Sequence, residues 1–147
     1  MPLLARRRFL QSSAALGAAV CAHRLPLAWS AEEKKLSFKI SLAEYSLHRM
    51  IGAGKLDALE FAPFTKKEFG IDAVEHWNRP FMDKAENAKY MADMKQRADD
   101  AGVKSLLIMI DGEGNLGDPD ANRRAAAVAN HHKWVTAAKQ IGCYSIR

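Results

Sequence analysis

The chain has 147 residues, of which 48% are apolar and 27% are charged, with nine Gly, five Pro and two Cys. This composition excludes collagen-like, disordered and disulfide-rich proteins and leaves room for one ordinary domain. The net charge is +5, but the first thirty residues hold four of the 22 basic residues and no acid, so 18 basic and 17 acidic residues remain. A domain this close to neutral lacks the positive surface of a nucleic-acid-binding protein, so we expect no nucleic-acid partner.

Residues 1–30 have the features of an export signal. Arg6 and Arg7 open a cationic segment, and residues 12–22 form a small-residue apolar stretch too short to span a bilayer as a permanent helix. Two adjacent arginines ahead of Phe-Leu resemble the twin-arginine signature, which the export machinery reads as an address. The alternative is an ordinary secretory signal, but the apolar stretch is rich in Ala and Gly rather than Leu.

Small residues also mark an expected cleavage site. Ala28 and Ser30 occupy the two recognition positions, which predicts a mature chain that begins at Ala31. We therefore expect a periplasmic protein with no stable membrane insertion after cleavage.

Four segments of the mature chain have the pattern of β-strands. The first alternates apolar and polar residues, whereas the third is a nearly continuous apolar run, typical of a parallel strand that is buried on both faces. The predicted strands cover residues 36–42, 71–77, 103–110 and 143–147.

A helical segment fills each interval between these strands. The first covers residues 55–69, and we expect Pro63 to break it into a short helix and a second turn. The second opens at Asp83 and ends at Gly102, which occupies the position of a C-terminal cap.

The third helix covers residues 120–141, with Asp118 as the predicted N-cap and a proline in the first turn. Its predicted buried stripe includes Val128 and Val135. His132 lies between these two valines in the stripe, so we expect it to be a structural histidine between the helix and the sheet.

Alternating strands and helices predict an α/β fold with a parallel sheet. A doubly wound sheet and an eight-stranded barrel both use this repeat, and a barrel typically needs about 250 residues. The 117 residues from 31 to 147 supply three βα units and a fourth strand. We therefore expect residues 31–147 to be the N-terminal half of a (β/α)8 TIM barrel, a partial domain of a longer protein.

The segment from Gly112 to Gly117 matches the GxGxxG pattern of dinucleotide-binding loops. In that motif the glycines open the helix directly, whereas here Asp118 and Pro119 intervene, and an acid at the helix N-terminus would repel phosphate. We interpret the segment as a mobile loop at the C-terminal rim of the sheet.

Glu75 is the strongest candidate for a functional group on the second strand. Alternation places Ala73, Glu75 and Trp77 on one face and Val74 and His76 on the other. If Ala73 faces the barrel axis, the Glu75 carboxylate points into the barrel mouth, where it could bind a metal or sugar hydroxyls or act as a base. The alternative is a buried Glu paired with Arg or Lys. We expect His76 to pack against a helix with its ring hydrogen-bonded.

Further polar residues follow the predicted strands, where parallel barrels carry their active sites. These rim candidates are Glu44, Tyr45 and His48 after the first strand, Asp111 and Glu113 after the third, and Arg147 in the fourth.

Three phrases carry a family resemblance: FGIDAVEHWNRPF, DGEGNLGDPD and ANHHKWVTAAKQIGCYSIR. Across residues 36–147 the chain resembles the N-terminal half of the xylose isomerase-like barrels known as sugar phosphate isomerases/epimerases. The resemblance implies metal-assisted isomerisation or epimerisation of a small carbohydrate, with a proton moved beside the sugar carbonyl.

The resemblance also implies a divalent metal (Mn, Mg, Co or Zn) held by two Glu, an Asp and a His. These ligands are expected beyond residue 147, so this chain alone is expected to be inactive. Glu75, Glu44, His48, Asp111 and Arg147 are carried over as substrate-binding candidates. Two alternatives remain open, namely a non-catalytic exported carbohydrate-binding barrel and a relative of metal-dependent abasic-site endonucleases.

Overall fold

The computed structural model describes residues 38–147. The expected export signal and its cleavage site lie outside the described residues. Among the helices of residues 38–147, none combines the length and the apolar character that a membrane span requires.

The described residues form an α/β structure around one parallel sheet. Its strands are β1 (Leu42–Ala43), β2 (Ala73–Trp77), β3 (Lys104–Met109) and β4 (Ser145–Ile146). They pair in the order β1-β2-β3-β4, and every pairing is parallel. The expected sequential order of the strands is therefore confirmed. A doubly wound sheet reverses its strand order, so this order favours half of a βα barrel.

The first strand is much shorter than the alternating pattern predicted. β1 begins at Leu42, which pairs with Val74, while Phe38 and Ile40 are exposed and belong to no strand. Only Leu42 and Ala43 pair with β2, opposite Val74 and Glu75.

Four α-helices and three 3₁₀ turns connect the strands. The helices are α1 (His48–Gly52), α2 (Phe61–Phe69), α3 (Ala88–Asp100) and α4 (Ala121–Ile141). The 3₁₀ turns are Glu44–Leu47, Ala58–Glu60 and Arg79–Lys84.

Two predicted helix boundaries are wrong. Pro63 does not break α2, because it lies in the first helical turn, where a backbone N–H has no helical acceptor to lose. Asp83 does not open α3, because it lies in the 3₁₀ turn, in which Phe81 has a non-helical φ of −132°. Instead Asn87 caps α3 by accepting a hydrogen bond from the backbone N–H of Tyr90.

The N-cap of α4 is Asp120 rather than Asp118. The Asp120 side chain accepts the backbone N–H of Arg123 at 2.9 Å. Asp118 instead pairs with the guanidinium of Arg123 and accepts the backbone N–H of Asp120. The predicted C-terminal end is confirmed, since Gly142 terminates α4 with a positive φ of 86°.

The predicted buried face of α4 is also wrong. Val128 and Val135 are 46% and 54% exposed, and His132 is exposed rather than packed between the helix and the sheet. Trp134 is fully buried and meets Phe81 edge to face at 5.8 Å. Because burial of this large ring dominates the packing of the helix, α4 turns the two smaller valines outward.

The core consists of two clusters of side chains between the sheet and the helices. One includes Met91, Met94, Ile108 and Trp134, and the other includes Phe61 and Val74. On β3 the expected burial is incomplete, because Ile108 and Met109 are buried whereas residues 106–107 are only half-buried.

Candidate functional site

The ends of β2 and β3 are joined at the C-terminal rim of the sheet by Trp77, Asn78 and Asp111. The indole Nε1–H of Trp77 donates a hydrogen bond to Asp111 Oδ2 at 2.7 Å. Asn78, which is fully buried, donates from Nδ2 to the Asp111 carbonyl oxygen at 2.9 Å and accepts the Asp111 backbone N–H at 3.0 Å. These three hydrogen bonds fix both the backbone and the carboxylate of Asp111. No sequence pattern indicated this role for Asn78.

Aromatic rings from the segment after β1 extend this rim. The Tyr45 ring stacks on the His48 ring at 4.7 Å with an interplanar angle of 13°, and it meets Trp77 edge to face at 5.1 Å. His48 Nδ1 lies 2.8 Å from the Tyr45 carbonyl oxygen, which can only accept, so Nδ1 carries the proton and donates. This bond holds His48 in one orientation.

These groups border an open cavity, which we call the Asp111 cleft, with a volume of about 320 Å³. Its wall includes Tyr45, Ser46, Trp77, Met109, Asp111 and Arg147. The Arg147 side chain reaches into the same wall, with Nη2 at 3.2 Å from the Met109 sulfur. The structure thus brings together Asp111 and Arg147, two of the residues that the sequence indicated.

Glu75 lies on the face that alternation predicts, with Ala73 and Trp77 half-buried beside it and Val74 and His76 fully buried opposite. Its Oε1 accepts a hydrogen bond from the Ser41 hydroxyl at 2.8 Å. Within residues 38–147 it makes no ion pair with Arg or Lys. It does not border the Asp111 cleft. Its role as a substrate-binding group stays a prediction.

Glu44 directly follows β1, as the sequence predicted, but its side chain packs inside the fold. Its side chain is fully buried, and Oε2 accepts the backbone N–H of Trp77 at 2.8 Å. Its Oε1 has no hydrogen-bond partner within the described part of the chain. Burial raises the pKa of the Glu44 carboxyl to about 8, with a smaller contribution from Asp57. Glu44 supports Trp77 from inside the fold and does not line the Asp111 cleft.

His76 is a buried structural histidine, as predicted. Its Nε2 lies 2.8 Å from the Ser105 hydroxyl, and its ring meets Phe61 of α2 edge to face at 6.0 Å. Burial lowers the pKa of His76 to about 4, so the ring is neutral at pH 7. Its Nδ1 is 3.9 Å from Glu44 Oε2 and makes no hydrogen bond within residues 38–147.

Glu113 lies in the rim loop after β3, with its side chain buried. Its Oε1 accepts hydrogen bonds from Trp134 Nε1–H at 2.8 Å and from Lys133 Nζ at 2.7 Å. Burial alone would raise the pKa of Glu113, but these two donors outweigh it and lower the pKa. Glu113 therefore links the loop to α4, and the mobility of the loop stays a prediction.

Close packing explains one glycine of the GxGxxG pattern. Gly114 has a φ of 96°, and a Cβ at this position would lie 2.9 Å from the Ala127 Cβ on α4. The glycine lets the loop approach the helix, so packing alone accounts for Gly114.

The donor set for the metal implied by the family resemblance is not assembled within residues 38–147. This part of the chain contains no group of three or more His, Cys, Asp or Glu side chains placed to hold a metal ion. The rim groups offer hydrogen-bond donors, acceptors and aromatic faces, which suit recognition of a polar organic ligand.

Comparison with family models and with curated proteins identifies no relative of this chain. No family model matches the chain. A search of curated proteins also finds no significant match. Membership of the sugar isomerase family therefore stays a prediction from the resemblance of the three phrases.

Proposed function

We propose that residues 31–147 are the first half of a (β/α)8 barrel in an exported sugar isomerase or epimerase, and that the Asp111 cleft is part of its carbohydrate site. The observation that carries this proposal is the position of the cleft at the C-terminal rim of a sequentially ordered parallel sheet. Active sites of βα barrels occupy this rim. The proposed location of the protein is the periplasm, reached by the twin-arginine pathway.

The chemistry of the cleft suits a neutral sugar. Asp111 can accept hydrogen bonds from sugar hydroxyls, and the Arg147 guanidinium, which has no ion-pair partner within residues 38–147, can donate to hydroxyl or ring oxygens. Trp77 and Tyr45 supply apolar ring surface for the C–H face of a sugar. Hydrogen-bonding groups orient a bound sugar, and the aromatic surface beside them adds contact area.

Glu75 is the residue in this chain to which we assign proton transfer or binding next to the sugar carbonyl. It lies on the sheet face that a closed barrel would enclose, and its bond from Ser41 leaves the other carboxylate oxygen free of partners within residues 38–147. The proposed divalent metal would need ligands from outside the described residues, where the family resemblance also expects them.

Solvent deuterium exchange tests the catalytic part of the proposal. Protein expressed from the complete gene is incubated in D2O with a panel of aldoses and ketoses and with Mn²⁺, Mg²⁺, Co²⁺ or Zn²⁺. We expect deuterium to enter the carbon next to the carbonyl of at least one sugar, because isomerisation and epimerisation both remove that proton. EDTA should abolish the exchange.

A sugar that binds without any exchange would contradict the isomerase assignment and favour the non-catalytic carbohydrate-binding barrel. Cleavage of abasic-site DNA without sugar exchange would favour the endonuclease alternative.

A further inference from the structure

A second cavity lies beside the Asp111 cleft, and the two share Trp77 as a wall residue. This second cavity, which we call the Arg79 cleft, has a volume of about 450 Å³. Its charged and aromatic lining residues include His48, Asp57, Trp77 and Arg79. Both volumes fall in the range of cavities that hold small organic ligands.

An aromatic partition separates the two clefts. Tyr45 lines the Asp111 cleft and His48 lines the Arg79 cleft, and their rings stack on each other at 4.7 Å. Trp77 stands at the edge of this pair and contributes to both cavities. Each cleft is therefore bordered by one ring of the stack and by the shared indole.

The two clefts also repeat the same polar chemistry. Asp111 and Arg147 line the Asp111 cleft, and Asp57 and Arg79 line the Arg79 cleft, where Asp57 Oδ1 also accepts the backbone N–H of Leu59 at 2.8 Å. Neither arginine forms an ion pair within residues 38–147. Each side of the partition thus combines an aromatic surface, an acceptor and a free cationic donor, the set of groups that one sugar ring needs.

We infer that the rim holds two adjacent sugar subsites and that the ligand is a disaccharide, with one ring in each cleft and the glycosidic bond over the Tyr45–His48 partition. This inference rests on the proposed carbohydrate function and specifies its substrate class. A ligand that fills both clefts gains contacts on both sides for one loss of translational freedom, so it binds more tightly than either monosaccharide.

The test compares the affinities of the full chain for maltose, cellobiose and lactose with those for glucose and galactose, by calorimetry. We expect at least one disaccharide to bind about tenfold or more tightly than either of its component sugars. Equal affinities for disaccharides and monosaccharides would overturn the two-subsite inference while leaving the proposed function in place. Absence of binding by every sugar would overturn both.

Matched variants test each cleft. Arg79→Gln and Asp111→Asn should each weaken disaccharide binding about fivefold or more, because each removes a polar group from one subsite, whereas Lys89→Gln, at an exposed position outside both clefts, should leave it unchanged. Arg79 and Asp111 are both exposed, so the variants should keep the melting temperature of the parent chain. An Arg79→Gln variant that binds the disaccharide as tightly as the parent would contradict the second subsite.

Discussion

The indole of Trp77 donates a hydrogen bond to the carboxylate of Asp111 across 34 positions of sequence, at an N–O distance of 2.7 Å. This bond links the ends of β2 and β3 at the rim, directly beside the stacked rings of Tyr45 and His48. It orients an acceptor and an aromatic face toward the same cleft. The proposed carbohydrate site depends on this arrangement more than on any other contact.

Glu75→Gln tests the assignment of this carboxylate to the reaction. The substitution keeps the volume and removes the charge, so in protein from the complete gene we expect kcat/KM to fall about tenfold or more, or about 1.4 kcal/mol. The melting temperature should change little. Glu68→Gln, at an exposed ion pair with Lys67, is the matched control. Lost stability with full activity per folded molecule would instead make Glu75 structural.

The buried pair Glu44 and His76 predicts a characteristic dependence of stability on pH. Glu44 has a folded pKa of about 8, above its unfolded value of 4.5, so its carboxyl destabilises the fold progressively as pH rises from 4.5 to 8. His76 has a folded pKa of about 4, below its unfolded value of 6.5, so its contribution to stability rises between pH 4 and 6.5. Between pH 4.5 and 6.5 the two contributions to the unfolding free energy change in opposite directions. Above pH 6.5 only the Glu44 contribution still changes with pH.

Glu44→Gln therefore tests the raised pKa between pH 6.5 and 8. The parent chain should lose about 2 kcal/mol of unfolding free energy over this interval, because a difference of one pKa unit corresponds to about 1.4 kcal/mol. The Gln variant should lose much less, as measured by urea denaturation at each pH. His76→Gln serves as the comparison, since it should remove the rise below pH 6.5 and keep the loss above it. Parallel curves for the parent and Glu44→Gln would contradict the raised pKa.

Local patterns in the sequence predicted the sheet well because they depend on near neighbours in the chain. The alternation from Ala73 to Trp77 gave the correct faces of β2, and Gly142 marked the end of α4 through its positive φ. The burial of Glu44 and the cross-strand role of Asn78 could not be predicted in this way. Both depend on partners more than thirty positions away in the sequence.

The orientation of α4 shows a second limit of periodicity. Alanines occupy so many positions of this helix that an apolar stripe can be drawn on more than one face. Trp134 decides the orientation through contacts with Phe81 and Glu113, which lie on other elements. The single Trp in the helix was the signal that could have indicated the buried face, since burial of its large ring outweighs that of two valines.

Glu113→Ala tests whether the contacts of Glu113 with Trp134 and Lys133 hold the loop after β3 against α4. The change removes the acceptor of the buried Trp134 N–H and the partner of Lys133, so we expect a loss of about 1–3 kcal/mol in unfolding free energy. Amide exchange of the loop should also become faster. Glu86→Ala, at an exposed position in the turn before α3, is the matched control and should change stability by less than about 0.5 kcal/mol. Equal stabilities of the Glu113→Ala and Glu86→Ala variants would contradict a stabilising role for the Glu113 contacts with α4.

Replacement of Arg6 and Arg7 by Lys tests the proposed export route. A twin-arginine receptor requires the arginine pair, whereas an ordinary secretory signal needs only positive charge. We expect periplasmic accumulation in cells to stop, as followed by immunoblotting of cell fractions. Unchanged accumulation of the double variant would favour the ordinary secretory route.

The indole N–H resonances of the chain test directly whether a sugar contacts Trp77 at the rim. Trp77 borders both clefts, whereas Trp134 is fully buried against Glu113 and serves as an internal control. The full chain is titrated with the monosaccharide and disaccharide panel, and the two resonances are assigned from the Trp77→Phe and Trp134→Phe variants. We expect the Trp77 signal to shift saturably and the Trp134 signal to stay in place. A Trp77 signal that no sugar moves would contradict the proposed carbohydrate site.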